Sequence, residues 1–206
     1  MSELVGFSSA PPAAQLFGNA GVEHMKRYGS RPEHFAKIAF KNHKHSVNNP
    51  YSQFRDEYTL DQIKNSPVVH EILTKLQCCP TSDGSACCIV ANEDFVRRHK
   101  LEAQAVEIVG MEMCTDFSTT FTNKSSITLV GYDMAKAASK RLFEKTPYLP
   151  TDVNVVELHD CFSANELITY EALGLCPEGK AHEMIDRNDN TYGKSTCFHL
   201  IYFFNL

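Results

Sequence analysis

Three residues with reactive side chains stand in a row at His159, Asp160 and Cys161. An imidazole changes charge near neutral pH and can move a proton or donate a hydrogen bond. A carboxylate orients a neighbour or caps a helix. A thiol becomes a nucleophile once ionised. Each also has a plain structural reading. A lone histidine at a strand end packs more often than it reacts. Asp160 fits a helix cap, and Cys161 fits a small buried position, since no basic partner for it is evident in the sequence.

The elements on either side must position this triplet. Val153 to Leu158 is β-branched and apolar, the pattern of a buried strand. Ser163 is placed as the N-cap of a following helix, with Glu166 three residues on. Leu167, Tyr170 and Leu173 then recur at helical spacing, and Gly174 stands where a helix ends. A reactive cluster at the carboxyl end of a strand, opening into a helix, is where open α/β sheets place ligands.

Other groups with chemical capacity are weaker. His43 and His45 form a His-x-His pair, but residues two apart on a helix face different ways, which argues against a shared metal. Lys41, Lys44 and Arg55 read first as a solvated basic face. Cys78, Cys79, Cys87 and Cys88 lack the Cys-x-x-Cys spacing of a zinc site and read as core and turn thiols. Ser82-Asp83-Gly84 reads as a β-turn.

Composition narrows the class. The chain has 206 residues, 43% hydrophobic and 22% charged, as in a globular protein of one large or two small domains. Net charge is -5 with no basic block, which argues against nucleic acid as a partner. No apolar run approaches the roughly 20 residues of a membrane span. The first ten residues lack the basic start and apolar core of a secretory signal. The 8 cysteines show no disulfide framework, so free thiols in a reducing compartment are expected.

In chain order, a helix is predicted from Ala13 to Tyr28, with Leu16, Ala20 and His24 on one stripe and Gly29 at its end. A second starts at Arg31-Pro32-Glu33, with Phe35, Ile38 and Ala39 as its stripe, and breaks at Asn48-Asn49-Pro50. Leu60 to Asn65 and Val68 to Leu76 read as short helical or irregular pieces around Pro67. Ser85 to Ala91 reads as a buried strand, Asn92 to Lys100 as a capped helix, and Ala105 to Met113 as a strand. Asp116 to Ser126 is polar and reads as a loop, and Met134 to Phe143 as an amphipathic helix closed by Pro147 and Pro150. From Ala105 onward the alternation of strand and helix predicts a parallel α/β unit.

Several long motifs carry a family resemblance. His159-Asp160-Cys161-Phe162 matches the HDCF signature of the sterol-carrier-protein type thiolases, where most other thiolases have an Asn-Glu motif. Ser163 to Leu167, Tyr170 to Gly179, Lys41 to Ser52 and Gln77 to Gly84 are also similar to that family, in the right order. The resemblance runs from about Pro11 to Gly193. These are peroxisomal 3-oxoacyl-CoA thiolases, which in their longest form carry a lipid-transfer domain.

The resemblance implies an α/β fold: a partial thiolase fold with a loop domain and part of the C-terminal half, its sheets incomplete. It divides the chain into a flexible lead over 1–10 and a mostly helical loop domain over 11–76. The last strand of the N-terminal half, plus a helix, takes 77–102; the first part of the C-terminal half takes 103–193. An unrelated apolar tail, long enough for one strand, takes 194–206 and is expected to stand in for a missing one. His159 is implied as the catalytic-site residue, pointing into the reaction cavity and holding the thioester oxygen. Lys41, Lys44 and Arg55 gain a second reading as contacts to CoA phosphates. The implied activity is thiolysis of 3-oxoacyl-CoA, with coenzyme A as substrate and no resident cofactor, and a thiolase-type dimer as partner.

The family also uses a nucleophilic cysteine in an Asn-rich motif, a Gly-His-Pro histidine and a Cys-x-Gly cysteine. None of these motifs occurs in the chain. It is therefore expected to be a central piece of a thiolase, inactive alone, with CoA-ester binding or dimerisation as the alternative role, or to be an unstable truncated form. The residues hold none of the lipid-transfer domain, so sterol carriage is not expected of them. Peroxisomal localisation follows from the family; the final Phe204-Asn205-Leu206 is not a peroxisomal tripeptide, which leaves the cytoplasm open.

Overall fold

The first helix, α1 (Pro12–Tyr28), begins at a proline, whose fixed φ suits a first turn, and stops at Gly29 in the left-handed region. The computed structural model describes residues 8–193 and the backbone of residues 199–200. The buried face of α1 is set by small residues. Ala14, Gly18 and Gly21 face inward, while Leu16 is only half-buried. A Cβ on Gly18 would stand 2.9 Å from the His70 ring, and one on Gly21 2.8 Å from Ile72. The glycines therefore let α1 approach the hairpin beside it closely.

Helix α2 (Pro32–Ser46) also starts at a proline and buries Phe35, Ile38 and Ala39, as its stripe predicts. Helix α3 (Leu60–Lys64) opens on a capping box between Thr59 and Gln62. Pro67 is followed by an antiparallel hairpin, β1 (Val68–His70) and β2 (Leu73–Thr74), where short helical or irregular pieces were expected. Glu71, at φ 51°, makes its turn. Val68-Val69 carried the β signal; three residues were too few to show a period.

Two predicted buried strands do not form. Residues 85–91 and 105–113 pair with no strand among the described residues, and their apolar side chains face outward. Ile89 is 93% exposed, Val106 90% and Met111 87%. β-branched side chains fit a pleated surface only when a neighbouring strand supplies it, and neither segment has one among the described residues. The predicted parallel α/β unit from Ala105 is therefore reduced to its helices and one short strand pair.

Between the two segments, α4 (Glu93–Arg98) is capped by Asn92, whose Oδ1 accepts from the Phe95 amide at 2.8 Å. The stretch expected as a loop at Asp116–Ser126 holds α5 (Thr119–Thr122) and runs into α6 (Ser126–Leu129). The Ser125 hydroxyl and the Ser126 amide both donate to Glu23 of α1, at 2.7 and 2.5 Å. Helix α7 (Tyr132–Lys145) follows, longer than predicted at both ends.

The strand expected over Val153–Leu158 shortens to β3 (Val155–Val156), and Val155 is 46% exposed rather than buried. It pairs in parallel with β4 (His199–Leu200). The rest of the apolar tail, residues 194–198 and 201–206, lies outside the described residues. Helix α8 (Ser163–Ala172) is the centre of the molecule. It ends in a Schellman turn, in which the Leu175 amide donates to Tyr170 O and the Gly174 amide to Glu171 O. Gly174 takes the left-handed position at φ 77°. Helix α9 (Ala181–Asp186) completes the set.

Leu167 and Tyr170 of α8 pack in one core with Ala14 of α1, Phe35 and Ile38 of α2, Leu73 of β2, and Ala181, Met184 and Ile185 of α9. A second cluster joins Ile168 and Ala172 to Ala20, Ile127 and Tyr132. The architecture is mixed α/β: a helical core around α8, with small, open sheets at its edge.

Candidate functional site

Residues 159–162 form the junction between β3 and α8. An isolated antiparallel bridge between Cys78 and Phe162 pins this junction to the chain after the hairpin. The Asn165 side-chain amide donates to the His159 carbonyl at 2.5 Å and closes the turn from the other side. Ser163 is not the N-cap. It is the first helical residue, and its hydroxyl donates to Gln77 Oε1 at 3.1 Å. Phe162 takes the cap position, with extended backbone.

A cavity of about 490 Å³ opens beside this junction. Its walls come from four places: Asn42, His43 and Ser46 of α2; the loop 51–54; the loop 76–84; and Asp160 with Ser163. His159 is exposed and is not among the lining residues, although its neighbour Asp160 is.

The wall behind Asp160 is a buried polar network. The two amide protons of Asn42 go to two carboxylates, Asp160 Oδ2 and Glu166 Oε2, each at 2.7 Å. The Lys41 ammonium and the Tyr170 hydroxyl both donate to Glu166 Oε1. Asn190 Nδ2 donates to the Tyr170 oxygen at 3.1 Å. Lys41 and Glu166 are both almost fully buried, where an unpaired charge would be very costly. Burial draws the Lys41 pKa below the ordinary lysine range, against the opposing pull of Glu166 and Asp160. Burial also raises the Tyr170 phenol, and Glu166 adds to this. Tyr170 is therefore a fixed donor.

Lys41 is thus not part of a basic face and is committed to Glu166 rather than turned toward a phosphate. Lys44 is exposed. Arg55 is exposed, and its guanidinium donates to the Val47 carbonyl at 3.0 Å. His43 and His45 diverge: His43 Nε2 donates to Leu76 O at 2.9 Å, while His45 Nε2 lies 2.8 Å from Thr191 Oγ1. Among the described residues no group of three or more possible ligands could hold a metal.

The thiols near the cavity are held protonated. Burial pushes Cys161 up to about 12 and Cys78 up to about 11, and it raises Cys79, with Asp160 adding to the effect. None of the three has the depressed pKa that marks a reactive thiol. Ser82 donates to Gln53 in the cavity wall.

Asn42, Lys41 and Glu166 were not singled out by sequence as a linked set. One signal was available. Glu166 sits one residue before Leu167 and four before Tyr170, on the face that the helical pattern marks as inward. A carboxylate there demands a buried donor.

Residues 117–197 match the thiolase C-terminal domain-like family. The chain is 62% identical over 188 residues to sterol carrier protein 2 of Rattus norvegicus, covering 91% of this chain and 34% of that protein. It is 53% identical over 194 residues to non-specific lipid-transfer protein-like 2 of Caenorhabditis elegans, covering 94% and 47%. Benzoylsuccinyl-CoA thiolase subunit BbsB of Thauera aromatica is 34% identical over 170 residues, covering 82% and 43%. The solved structure of an Ltp2-ChsH2(DUF35) aldolase superposes with a TM-score of 0.71 at 22% identity, covering 91% of this chain and 49% of that one, which shows a shared fold. The chain spans about a third of the length of the sterol carrier protein relatives it matches. Together these likenesses make the chain a homologue of sterol carrier protein 2 over 91% of its own length, with a thiolase C-terminal domain-like segment over residues 117–197.

Proposed function

We propose that the chain is the part of a 3-oxoacyl-CoA thiolase that receives the CoA thioester, and that it binds such esters without turning them over on its own. The observation that carries this reading is the cavity, because the family motifs at Lys41–Ser52, Gln77–Gly84 and His159–Phe162 all contribute to its surroundings. Its volume lies in the usual range for a small-molecule site, about 300–1,000 Å³. Coenzyme A is a substrate here rather than a resident cofactor. By resemblance, His159, exposed at the rim next to the cavity's Asp160, is the residue that meets the thioester oxygen, and the protonated state of Cys78, Cys79 and Cys161 leaves acyl transfer to groups outside these. The reaction of the whole family unit is thiolysis of a 3-oxoacyl-CoA, in a peroxisomal setting by resemblance.

A thermal melt of the purified chain with excess acetoacetyl-CoA tests the reading. Ligand at 100 times its Kd stabilises a protein by about 2.7 kcal/mol, so a cooperative transition should move up. His159→Ala should reduce that shift while leaving the unliganded transition in place. A sharp transition that ignores acetoacetyl-CoA would sink the proposal.

The exposed apolar side chains of residues 85–113 favour one second reading, an interaction module that pairs with a complete thiolase. Co-purification with the full-length enzyme, lost on Ile89→Lys, is the corresponding test.

A further inference from the structure

Cys79 and Cys161 stand opposite each other across the bridge that joins two walls of the cavity. Cys78 and Phe162 are the bridged pair, and the Cys79 amide donates to the Cys161 carbonyl at 2.9 Å. In an antiparallel pairing, the residue after one partner faces the residue before the other. Cys79 and Cys161 are therefore directly opposed and on one face, in the hydrogen-bonded position of an antiparallel pair, where Cα atoms generally stand about 5.5 Å apart. Disulfides join Cα atoms roughly 4.4–6.8 Å apart. Both cysteines are free in this structure.

Neighbouring thiols are placed differently. Cys78 lies on the other face of the bridge, and its thiol donates to Thr74 O at 3.3 Å. Cys87 and Cys88 are exposed, on a segment that pairs with no strand among the described residues. Cys79 is half-buried and Cys161 buried, so an oxidant meets Cys79 first.

We infer that Cys79 and Cys161 form a redox pair, closed to a disulfide by hydrogen peroxide. The Cys79 thiolate attacks the peroxide, breaks its O–O bond and becomes a sulfenic acid, releasing one water. Cys161 then displaces the sulfenic hydroxyl as a second water, and the Sγ–Sγ bond forms. Two thiols lose two electrons and two protons, and hydrogen peroxide is reduced to two waters. The raised pKa of both thiols keeps the thiolate fraction small, so closure is slow at neutral pH and speeds up as pH rises. The product ties the 159–162 turn to residues 77–80, fixing two walls of the cavity. This chemistry does not depend on what the cavity binds.

Oxidation of the reduced 206-residue chain with hydrogen peroxide, followed by alkylation, tandem mass mapping and a melt, tests the pair. The expected result is a linked peptide pair joining Cys79 to Cys161, with the mass loss of two hydrogens. A melting temperature above that of the reduced chain should accompany it, because the bond closes a long loop. Cys79→Ser should abolish both changes, and Cys78→Ser should abolish neither. Exposed Cys87 and Cys88 report that oxidant was sufficient. Once they are oxidised, a link through Cys78, or Cys79 and Cys161 both still alkylated, overturns the inference.

Discussion

Asn42 and Asp160 lie 118 residues apart in sequence and 2.7 Å apart in space, joined by an amide proton to a carboxylate oxygen. The same amide gives its other proton to Glu166, so one side chain of α2 holds both the reactive turn and the first turn of α8. A buried polar network stabilises when every member has its partner, and each orphan is expensive.

Asn42→Ala leaves two carboxylates each short of a donor. The expected cost is about 1–3 kcal/mol per lost partner, read as a lower denaturation midpoint in urea. Asn42→Asp should cost more, since it adds a third acceptor and removes both donors. Equal midpoints for wild type and Asn42→Ala would show that the network contributes nothing to stability.

Glu178 makes a pH prediction. Its carboxylate receives Lys136, Tyr28 and Tyr132 and so ties α1, α7 and the 177–179 turn together. The Lys136 hydrogen bond first, then those of the tyrosines, hold its pKa down at about 2, from an ordinary 4.5. The folded form thus holds its proton less tightly than the unfolded chain. The stabilisation is fully present above pH 4.5 and fades as pH falls toward about 2. Solvent reaches this site, so the effect is modest. Melts of wild type and Glu178→Gln should differ at pH 7 and converge as pH drops below 4.5. A gap that persists undiminished at the lowest pH would refute this.

Two glycines in the left-handed region should respond differently to alanine. Gly29 and Gly179 have φ of 76° and 77°, where a side chain costs about 1–2 kcal/mol. A Cβ at Gly29 meets nothing within 4 Å, whereas one at Gly179 would stand 2.4 Å from the Tyr28 ring. Gly179→Ala should therefore lower the melting temperature clearly more than Gly29→Ala.

The apolar residues divide into two classes by what they touch. Leu167 is fully buried, so Leu167→Ala should cost about 2–5 kcal/mol. Val106 is 90% exposed, so Val106→Lys should change stability by no more than about 0.5 kcal/mol while improving solubility. Calorimetry and light scattering on the two variants check both halves.

This division also shows what the sequence made legible. Helices α1, α2, α7 and α8 were readable because proline starts, glycine stops and apolar stripes are local signals. The segment around Val106 and Ile108 was read as a buried strand because its residues describe what a strand buries against a neighbour; whether a neighbour is present is not a local property. The site divides in the same way. His159, Asp160 and Cys161 are adjacent and stand out as a motif. The Lys41–Glu166 pair spans 125 residues, and nothing local announces which lysine a buried carboxylate will meet.

The uncovered stretch has a further consequence, for cleavage. From residue 83 to 113 nearly every side chain is exposed, and the one helix there, α4, buries none of its residues. A protease should therefore cut within this stretch before anywhere else between α1 and α9. On either side of it, α1 and α2 pack against α6, α8 and α9. A single nick would thus produce two polypeptides that remain bound through the shared core, migrating as one species in native gels and as two in detergent.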